Sequence, residues 1–236
     1  MKKKYMSRIP SFLVMAMCIP MLITGCSGSG GGGGSNESTP DTATYQWHTF
    51  YGSASNDWAN SVAVQNGSVY VTGFSGATWN GPSGQLPLHA YSGGHDIIVF
   101  KLDSAGAYQW HTFYGSVSGN DYGLNLAFGN STDLYVAGRS DATWQGQNAN
   151  DDPLHAYTGG ADIMILKLTD AGVYRWHSFY GSASDDWGQG IALDSLGNIH
   201  MIGYSTATWN GPTGQVPLHD HTGDMDIIDV VLKQSD

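Results

Sequence analysis

Three copies of one segment run through most of the chain, and this internal repeat constrains the fold more than any other feature. Residues 45–53 recur at 108–116 without a change and at 174–182 with only Arg175 and Ser178 different. The repeats extend over about 45–107, 108–173 and 174–236. A repeat of this length is typical of folds in which each copy is one supersecondary unit that buries its apolar surface against its neighbours.

Each copy contains the same series of predicted strands, labelled A to D. Strand A is an alternating apolar run, and Asn66-Gly67 after the first such run is a strong signal for a hairpin turn into strand B. A long polar loop leads to strand C, and a short turn leads on to strand D, which carries the Tyr-x-Trp-His sequence. Strand A is predicted at 61–64, 125–128 and 190–193, strand B at 69–73, 134–138 and 199–203, and strand C at 96–102 and 162–168.

The pattern predicts an all-β protein, a β-propeller of three four-stranded repeats. Strand C, as at 97–100, is apolar on both faces, which suits a sheet packed between two others like stacked blades. A spare strand D at 45–51 precedes the first strand A, whereas no strand D follows the third strand C. We expect the spare strand to complete the third blade. Two arrangements satisfy this: a three-bladed ring closed by the chain's own N-terminal strand, or a six-bladed ring made by a homodimer.

The third copy carries a recognisable pattern of Gly, Asp and apolar residues, which consists of Gly181, Asp185-Asp186, the run 190–199 and Gly203-Tyr204. This pattern resembles the SBBP-type β-propeller repeat, common in exported and surface proteins of bacteria. The resemblance implies a propeller fold and a cell-surface setting, and it implies no general catalytic function. The first two copies depart from it because they lack the Asp of the Leu-Asp-Ser stretch, and the B–C loops have an Ala-Thr-Trp pattern of their own.

The N-terminus has the features of a bacterial export signal. Four basic residues among the first eight precede an apolar stretch that is too short for a comfortable membrane span. Residues 23–26 resemble the bacterial lipobox, in which the signal peptide is cut before a cysteine that carries lipid. We expect residues 1–25 to be a lipoprotein signal peptide and Cys26 to be acylated, with palmitate among its chains. Ser27 at the next position favours the outer membrane or the cell surface.

Residues 26–44 are a predicted tether, because they include the five-glycine run 30–34. Four of the 9 Lys and Arg residues lie in the signal peptide, whereas all 20 Asp and Glu residues follow it, so the exported chain is strongly acidic. This charge disfavours nucleic acid and anionic membrane surfaces as partners, and it leaves cations, neutral glycans and basic proteins. We expect contact with the membrane only through the lipid.

Aromatic and histidine residues recur in the long loop between strands B and C, and they are the predicted ligand-binding residues. The set is Trp79, Trp144, Trp209, His89, His155 and His219. In an up-and-down blade the B–C and D–A loops share a rim, so the set is expected to surround a common axis. The Trp rings suit stacking on a sugar, and they equally suit pinning each long loop to its blade.

Two groups of residues are predicted metal ligands. The repeated group, between strands D and A, is Asp57, Asp121 and Asp186. These carboxylates suit Ca²⁺, and the alternative is that each accepts hydrogen bonds from backbone N–H groups in its own turn. The third copy alone has His219, His221 and Asp224, which suit a transition metal, with an acidic solvated loop as the alternative.

The sequence predicts an exported lipoprotein that displays a binding module for a glycan or a protein. We do not expect an enzyme, because the repeats are nearly identical and an active site breaks such symmetry. Two alternatives stay open. One is a metal-assisted hydrolase that uses His219, His221 and Asp224, and the other is a purely structural protein of the cell envelope.

Overall fold

The computed structural model describes residues 43–129 and 132–233, which form eleven strands and no helix. The all-β prediction is therefore confirmed. From residue 46 onward, the described residues belong to one compact unit. In the described ranges no helix is long and apolar enough to cross a membrane. The predicted signal peptide, the lipidation site Cys26 and the tether up to residue 42 lie outside the described residues.

The strands form three antiparallel sheets, one for each repeat, which we call blades 1 to 3. Blade 1 contains β1 (Asp57–Gln65), β2 (Ser68–Ser75), β3 (Asp96–Leu102) and β4 (Tyr108–Tyr114). Blade 2 contains β5 (Asp121–Phe128), β6 (Asp133–Ser140), β7 (Asp162–Thr169) and β8 (Tyr174–Tyr180). Blade 3 contains β9 (Asp186–Leu193), β10 (Ile199–Ser205) and β11 (Asp226–Leu232). Blades 1 and 2 therefore have the predicted strands A to D as neighbours in sequence order.

Strand A is longer than the apolar pattern indicated, and it begins at the Asp that was expected in the preceding loop. In blade 2, Asp121 pairs with Ser140, the last residue of β6. A β-bulge after Gly123 shifts the side-chain alternation, so the apolar period is broken before residues 125–128. Register shifts at the corresponding places in β1 and β9 hide the start of strand A in the same way.

The A–B hairpin of blade 1 turns at Asn66-Gly67, as the sequence predicted. Asn66 has a φ of 51° and Gly67 a φ of 74°. Both values are left-handed, as a type I′ turn requires, and Asn and Gly adopt them at the lowest cost. The turn sets the register in which Gln65 pairs with Ser68.

The core lies between neighbouring blades. Strand C is buried on both faces, as predicted, and Ile97, Ile98 and Val99 in β3 are all buried. The first strand of blade 2 covers blade 1, so that Leu126 belongs to the same apolar cluster as Ile97 and Val99. A fully buried aliphatic side chain of this kind stabilises the fold by roughly 1.5–3 kcal/mol. Packing between blades therefore supplies much of the stability.

The third blade has three strands, so the expected closure of a ring within one chain is wrong for this structure. Residues 45–51 form no strand, and β11 pairs only with β10 among the described residues. The segment lies against blade 1 instead, where the Tyr51 ring contacts Trp79 and Tyr108. Each blade packs on its sequence neighbour. Blade 2 therefore contacts both blade 1 and blade 3.

Candidate functional site

Trp79 and Trp144 are buried against the histidine of strand D. The Trp79 indole stacks on the His111 ring with centroids 3.9 Å apart, and Trp144 stacks on His177 at 3.8 Å. The two indoles are only 8% and 4% exposed. They pin the long loop to the blade, and a sugar ring has no access to a face that an imidazole already covers.

Hydrogen bonds fix the orientation of the same histidines. His111 Nε2 lies 3.0 Å from the carbonyl oxygen of Trp79, which can only accept, so Nε2 carries the proton and donates it. Nδ1 therefore accepts a hydrogen bond from the Tyr108 hydroxyl at 2.6 Å. His177 makes the same two bonds in blade 2. Burial lowers the pKa of His177 to about 4, so this ring is neutral at physiological pH.

Replacing His177 with alanine is expected to lower the free energy of unfolding by about 3 kcal/mol, because it removes a buried stack and leaves the Trp144 carbonyl without a donor. Urea unfolding followed by Trp fluorescence measures the change. Asp220→Ala is the matched control, because Asp220 is exposed, and we expect it to change stability by less than about 0.5 kcal/mol. Equal losses in the two variants would contradict a pinning role for His177.

The B–C loops share only part of a rim with the D–A loops. The two loops meet where the Gly76 N–H donates to the Asn56 carbonyl oxygen at 2.8 Å. The middle of the B–C loop folds back along strand D. The Leu88 N–H donates to the carbonyl oxygen of His111, and the Phe113 N–H donates to the carbonyl oxygen of His89. In the first two repeats, this part of the B–C loop therefore lies against strand D of its own blade.

The histidines of the B–C loops also contact strand D. His89 stacks on Tyr114 with centroids 4.8 Å apart, and its Nδ1 lies 2.7 Å from the Phe113 carbonyl oxygen. His155 packs edge-on against Tyr180 at 5.2 Å. His219 is exposed, because blade 3 has no strand D within the described residues. Two of the three histidines thus have structural contacts, and the third lies where these contacts are missing.

The repeated aspartates each hold their own D–A turn. Asp121 Oδ2 accepts hydrogen bonds from the Ser116 N–H at 2.7 Å and the Ser116 hydroxyl at 2.9 Å, while Oδ1 accepts from the Ser140 hydroxyl. Asp57 and Asp186 have the same set of three donors in their own blades. Each carboxylate therefore ties the start of strand A to the end of strand B and to the preceding turn.

A second buried aspartate, which sequence reasoning missed, lies beside two of these three residues, Asp121 and Asp186. Asp96 Oδ1 and Asp121 Oδ2 lie 2.6 and 2.8 Å from the place that a Cβ would take on Gly115. Asp162 and Asp186 flank Gly181 in the same way. Burial raises the pKa of Asp96 to about 7, and the neighbouring Asp121 adds to this shift. The boundary between two blades thus holds a buried pair of carboxyl groups.

Asp96→Asn is expected to stabilise the protein at high pH. The raised pKa means that Asp96 costs stability increasingly as pH rises from about 4 to about 7, because the unfolded carboxyl ionises first. Asparagine avoids this cost and keeps an oxygen for the Ser92 N–H, which donates to Asp96 at 2.6 Å. We expect a gain of roughly 1–3 kcal/mol at pH 8 that disappears near pH 4.5.

Thermal unfolding at several pH values measures this difference. The exposed Asp220 provides the control Asp220→Asn, for which we expect no change with pH relative to the native chain. An advantage of Asp96→Asn that is the same at pH 4.5 and pH 8 would contradict a raised carboxyl pKa at this position.

The predicted metal ligands are not brought together as a metal site. In residues 43–129 and 132–233 no group of three or more His, Cys, Asp or Glu side chains is placed to hold a metal ion. Each repeated aspartate instead accepts hydrogen bonds from a backbone N–H and from serine hydroxyl groups. In the third copy, the His221 N–H donates to the Thr208 hydroxyl at 3.1 Å. The geometry thus favours the hydrogen-bonding alternative for the aspartates.

A row of aromatic side chains, which sequence reasoning missed, crosses all three blades at the start of strand A and the end of strand B. Trp58 stacks on Phe74 with centroids 6.1 Å apart, and Phe74 meets Tyr122 of the next blade at 4.8 Å. Trp187 stacks on Tyr204 at 5.4 Å. With Arg139 between the two groups, we call this the aromatic row, and its members are Trp58, Phe74, Tyr122, Arg139, Trp187 and Tyr204.

Arg139 joins the two halves of the aromatic row. Its guanidinium carbon lies 4.6 Å from the centroid of Tyr122 in its own blade and 3.9 Å from that of Trp187 in the next. Asp141 lies 3.1 Å from the guanidinium and neutralises it. Such cation–π contacts are worth about 0.5–2 kcal/mol each. The row therefore links blade 2 to blade 3 and leaves its end member Trp58 62% exposed.

Comparison with known families decides the type of the repeat. Residues 176–208 match the family model of the SBBP β-propeller repeat. This segment of the third repeat is similar to the SBBP repeat. This confirms the resemblance for that segment, whereas a search of curated proteins found no match for the chain.

The matched SBBP segment contains strand D, strand A and strand B but ends before Trp209. It includes Asp186, which holds the D–A turn, and both Trp187 and Tyr204 of the aromatic row. The B–C loop with its Trp and His lies outside it. The signal for the row was present in the sequence, because an aromatic residue follows the Asp at the start of strand A in every SBBP-like copy.

Proposed function

We propose that the protein is an exported, lipid-anchored interaction module that binds a partner protein at the bacterial outer membrane or cell surface. The observation that carries the proposal is the aromatic row, which continues across three blades of an SBBP-type repeat. Trp, Tyr and Arg are the residues that most often supply binding energy at protein interfaces. In the row they lie next to one another across the three blades.

A protein ligand fits the row better than a glycan does. Sugar rings stack on open aromatic faces, yet Trp187 has Arg139 at 3.9 Å and Tyr204 stacked at 5.4 Å. Rings packed in this way offer mainly their edges. Trp79 and Trp144 are likewise unavailable to a sugar because of their burial. The glycan hypothesis therefore has support only at Trp58, whereas a protein can contact edges, the guanidinium and Trp58 together.

The lipid anchor and the tether complete the proposal. Acylation of Cys26 would hold the chain at a membrane, and a glycine-rich tether of about 16 residues would reach roughly 20–24 Å. This reach lets the blades meet a partner without fixing their orientation. The acidic character of the exported chain keeps the blades away from anionic lipid surfaces and favours a basic partner.

Neither an enzyme nor a purely structural protein is favoured by a specific observation. The hydrolase alternative needs His219, His221 and Asp224 around one ion, and the described residues do not bring together such a group. The buried carboxyl pairs recur at two blade boundaries, between Asp96 and Asp121 and between Asp162 and Asp186. This repetition is the expected behaviour of a structural element rather than of a unique catalytic site.

Site-specific photo-crosslinking in living cells tests the proposal. A benzoylphenylalanine at Trp58 should give a discrete adduct with a partner protein. The same probe at Leu196, which is 83% exposed and lies at the A–B turn, the other end of the strands, should give none. Identical adducts at both positions, or no adduct at Trp58, would contradict a binding face at the aromatic row. In the same cells, Cys26→Ser should remove the protein from the membrane fraction.

A further inference from the structure

The unpaired edge of blade 3 is the largest departure from the repeat. Ile227 in β11 is 90% exposed, whereas Ile97 and Ile163, which hold the same position in β3 and β7, are fully buried. The difference arises because strand D and the next blade cover β3 and β7. A groove beside β11, lined by Trp209, Leu218 and Val230 among others, marks the missing strand. Among the described residues, the position of strand D in blade 3 is therefore vacant.

Residues 45–51 have the sequence of the missing strand. They are identical to β4 at every position, yet they form no strand in this structure. Phe50 is 88% exposed, whereas its counterparts Phe113 and Phe179 are 0% and 1% exposed. Exposure of an aromatic ring that is buried in every other copy indicates that the segment lacks the blade it was built for.

The segment already lies where a preceding blade would place its strand D. Tyr51 packs on Trp79 at 6.1 Å and on Tyr108 at 5.9 Å. Tyr114 of blade 1 packs on the equivalent residues of blade 2, Trp144 and Tyr174, at 6.1 and 5.8 Å. The contact between the segment and blade 1 thus repeats the contact between blade 1 and blade 2.

We propose that the occupant of the vacant position is a second copy of this chain. Residues 45–51 stay on their own blade 1, and β11 of the second copy pairs with them in the way that β3 pairs with β4. The reciprocal pairing at the other ends closes a two-fold ring of six blades, in which each third blade has four strands. A ring of six lies within the usual range of four to eight blades, and a ring of three lies below it.

The register follows from blade 1, where Ile98 pairs with Phe113 and Val99 pairs with Thr112. The same alignment places Phe50 of one copy opposite Ile228 of the other, and Thr49 opposite Asp229. The Thr49 hydroxyl then donates to the Asp229 carboxylate, which explains why a charged residue is tolerated in the middle of the third strand C.

The B–C loop of blade 3 gains the contacts that its counterparts have. In blade 1 the Leu88 N–H donates to the carbonyl oxygen of His111, and the Phe113 N–H donates to the carbonyl oxygen of His89. We call the contact between β11 of one copy and residues 45–51 of the other the joint. In the joint, Leu218 and His219 make these two bonds with residues 48 and 50 of the second copy. His48 then stacks on Trp209 and donates to its carbonyl oxygen, as His111 does with Trp79.

The joint also covers the outer face of blade 1. Val62 and Val64 in β1 are 62% and 68% exposed, whereas Leu126, the counterpart of Val62 in β5, is 5% exposed because it packs on blade 1. Blade 3 of a second copy provides the same kind of cover. The proposal does not depend on the ligand of the aromatic row, although Tyr204 and Trp58 of adjoining copies would continue that row around the ring.

The experiment compares two exposed apolar residues that differ only in their proposed roles. The full chain is purified in mild detergent, and its mass is measured by native mass spectrometry after release from the detergent. We expect the mass of two chains for the native protein and for Leu196→Ser, and of one chain for Phe50→Ser. Phe50 and Leu196 are 88% and 83% exposed in the single chain, so its structure alone predicts no difference. A one-chain mass for the native protein, or a two-chain mass for Phe50→Ser, would overturn the proposal.

A second measurement separates loss of pairing from loss of folding. Two differently tagged chains with benzoylphenylalanine at Phe50 are produced together and irradiated. The expected product carries both tags and joins residue 50 to a peptide of β11 (Asp226–Leu232). A crosslink to β11 of the same chain, or no crosslink to β11, would overturn the second copy as the occupant. An adduct at Trp58 that contains only this chain would report the contact between the two copies, and only an adduct with a different protein supports the proposed function, so the two proposals fail separately.

Discussion

Gly138→Ala is expected to lower the free energy of unfolding by about 4–5 kcal/mol, which is a large share of the total stability of a typical domain. A Cβ on Gly138 would lie 1.8 Å from the carbonyl oxygen of Tyr122. This oxygen belongs to the backbone of β5 beside its bulge, so no side-chain rotation relieves the overlap. Strands β5 and β6 must therefore separate. These strands carry part of the aromatic row and the hydrogen bond between Asp121 and Ser140. Urea unfolding of the purified protein measures the loss.

Gly190→Ala is the matched control for this change. Gly190 is also a strand glycine, but a Cβ there meets only the Ile202 side chain, at 2.9 and 3.3 Å. Ile202 is 55% exposed and has room to move. We expect a loss of less than about 1 kcal/mol. A mild effect of Gly138→Ala, similar to that of the control, would show that strands A and B are not held this closely.

Asp121→Ala is expected to cost about 3–5 kcal/mol, because it leaves the buried Ser116 N–H and hydroxyl without their acceptor and removes the bond that joins Ser140 to the start of strand A. The raised pKa of Asp121, about 6 as a result of burial, does not change this expectation near pH 7, where the carboxylate predominates. Thermal unfolding measures the loss, and Asp220→Ala provides an exposed control.

The same variant distinguishes an aspartate that only accepts hydrogen bonds from one that binds calcium. If Asp121 only accepts hydrogen bonds, native protein and variant should each unfold at the same temperature in calcium and in chelator. Stabilisation of the native protein by calcium, absent in Asp121→Ala, would instead assign the aspartate to a metal site. This result would restore the calcium hypothesis for Asp57 and Asp186 as well, since all three repeat the same contacts.

The blade itself could be predicted because its signals are local. The Asn66-Gly67 turn, the apolar strand C and the repeated Tyr-x-Trp-His strand each define one element within a few residues. The bulge after Gly123 breaks the two-residue period, so the true start of strand A could not be found from alternation. Asp57, Asp121 and Asp186 were therefore predicted in loops, although each is the first residue of a strand.

The candidate site was harder to predict because it depends on contacts between blades. Phe74 meets Tyr122 and Arg139 meets Trp187 only after neighbouring sheets have packed. A single repeat contains none of these pairs, so its pattern favoured the conspicuous Trp of each long loop. That Trp serves its own blade. The buried partner Asp96 escaped attention for the same reason, because its neighbour Asp121 comes from the next blade.

Hydrogen–deuterium exchange tests the central claim, that residues 45–51 are the fourth strand of a third blade. Amide protection of residues 47–51, of β11 and of Leu218 is measured in the native protein and compared with their counterparts in β4, β3 and Leu88. We expect comparable protection, since each amide would have a backbone acceptor within a completed sheet. Exchange of residues 47–51 and Leu218 as fast as that of an exposed loop would contradict the claim and leave blade 3 with three strands.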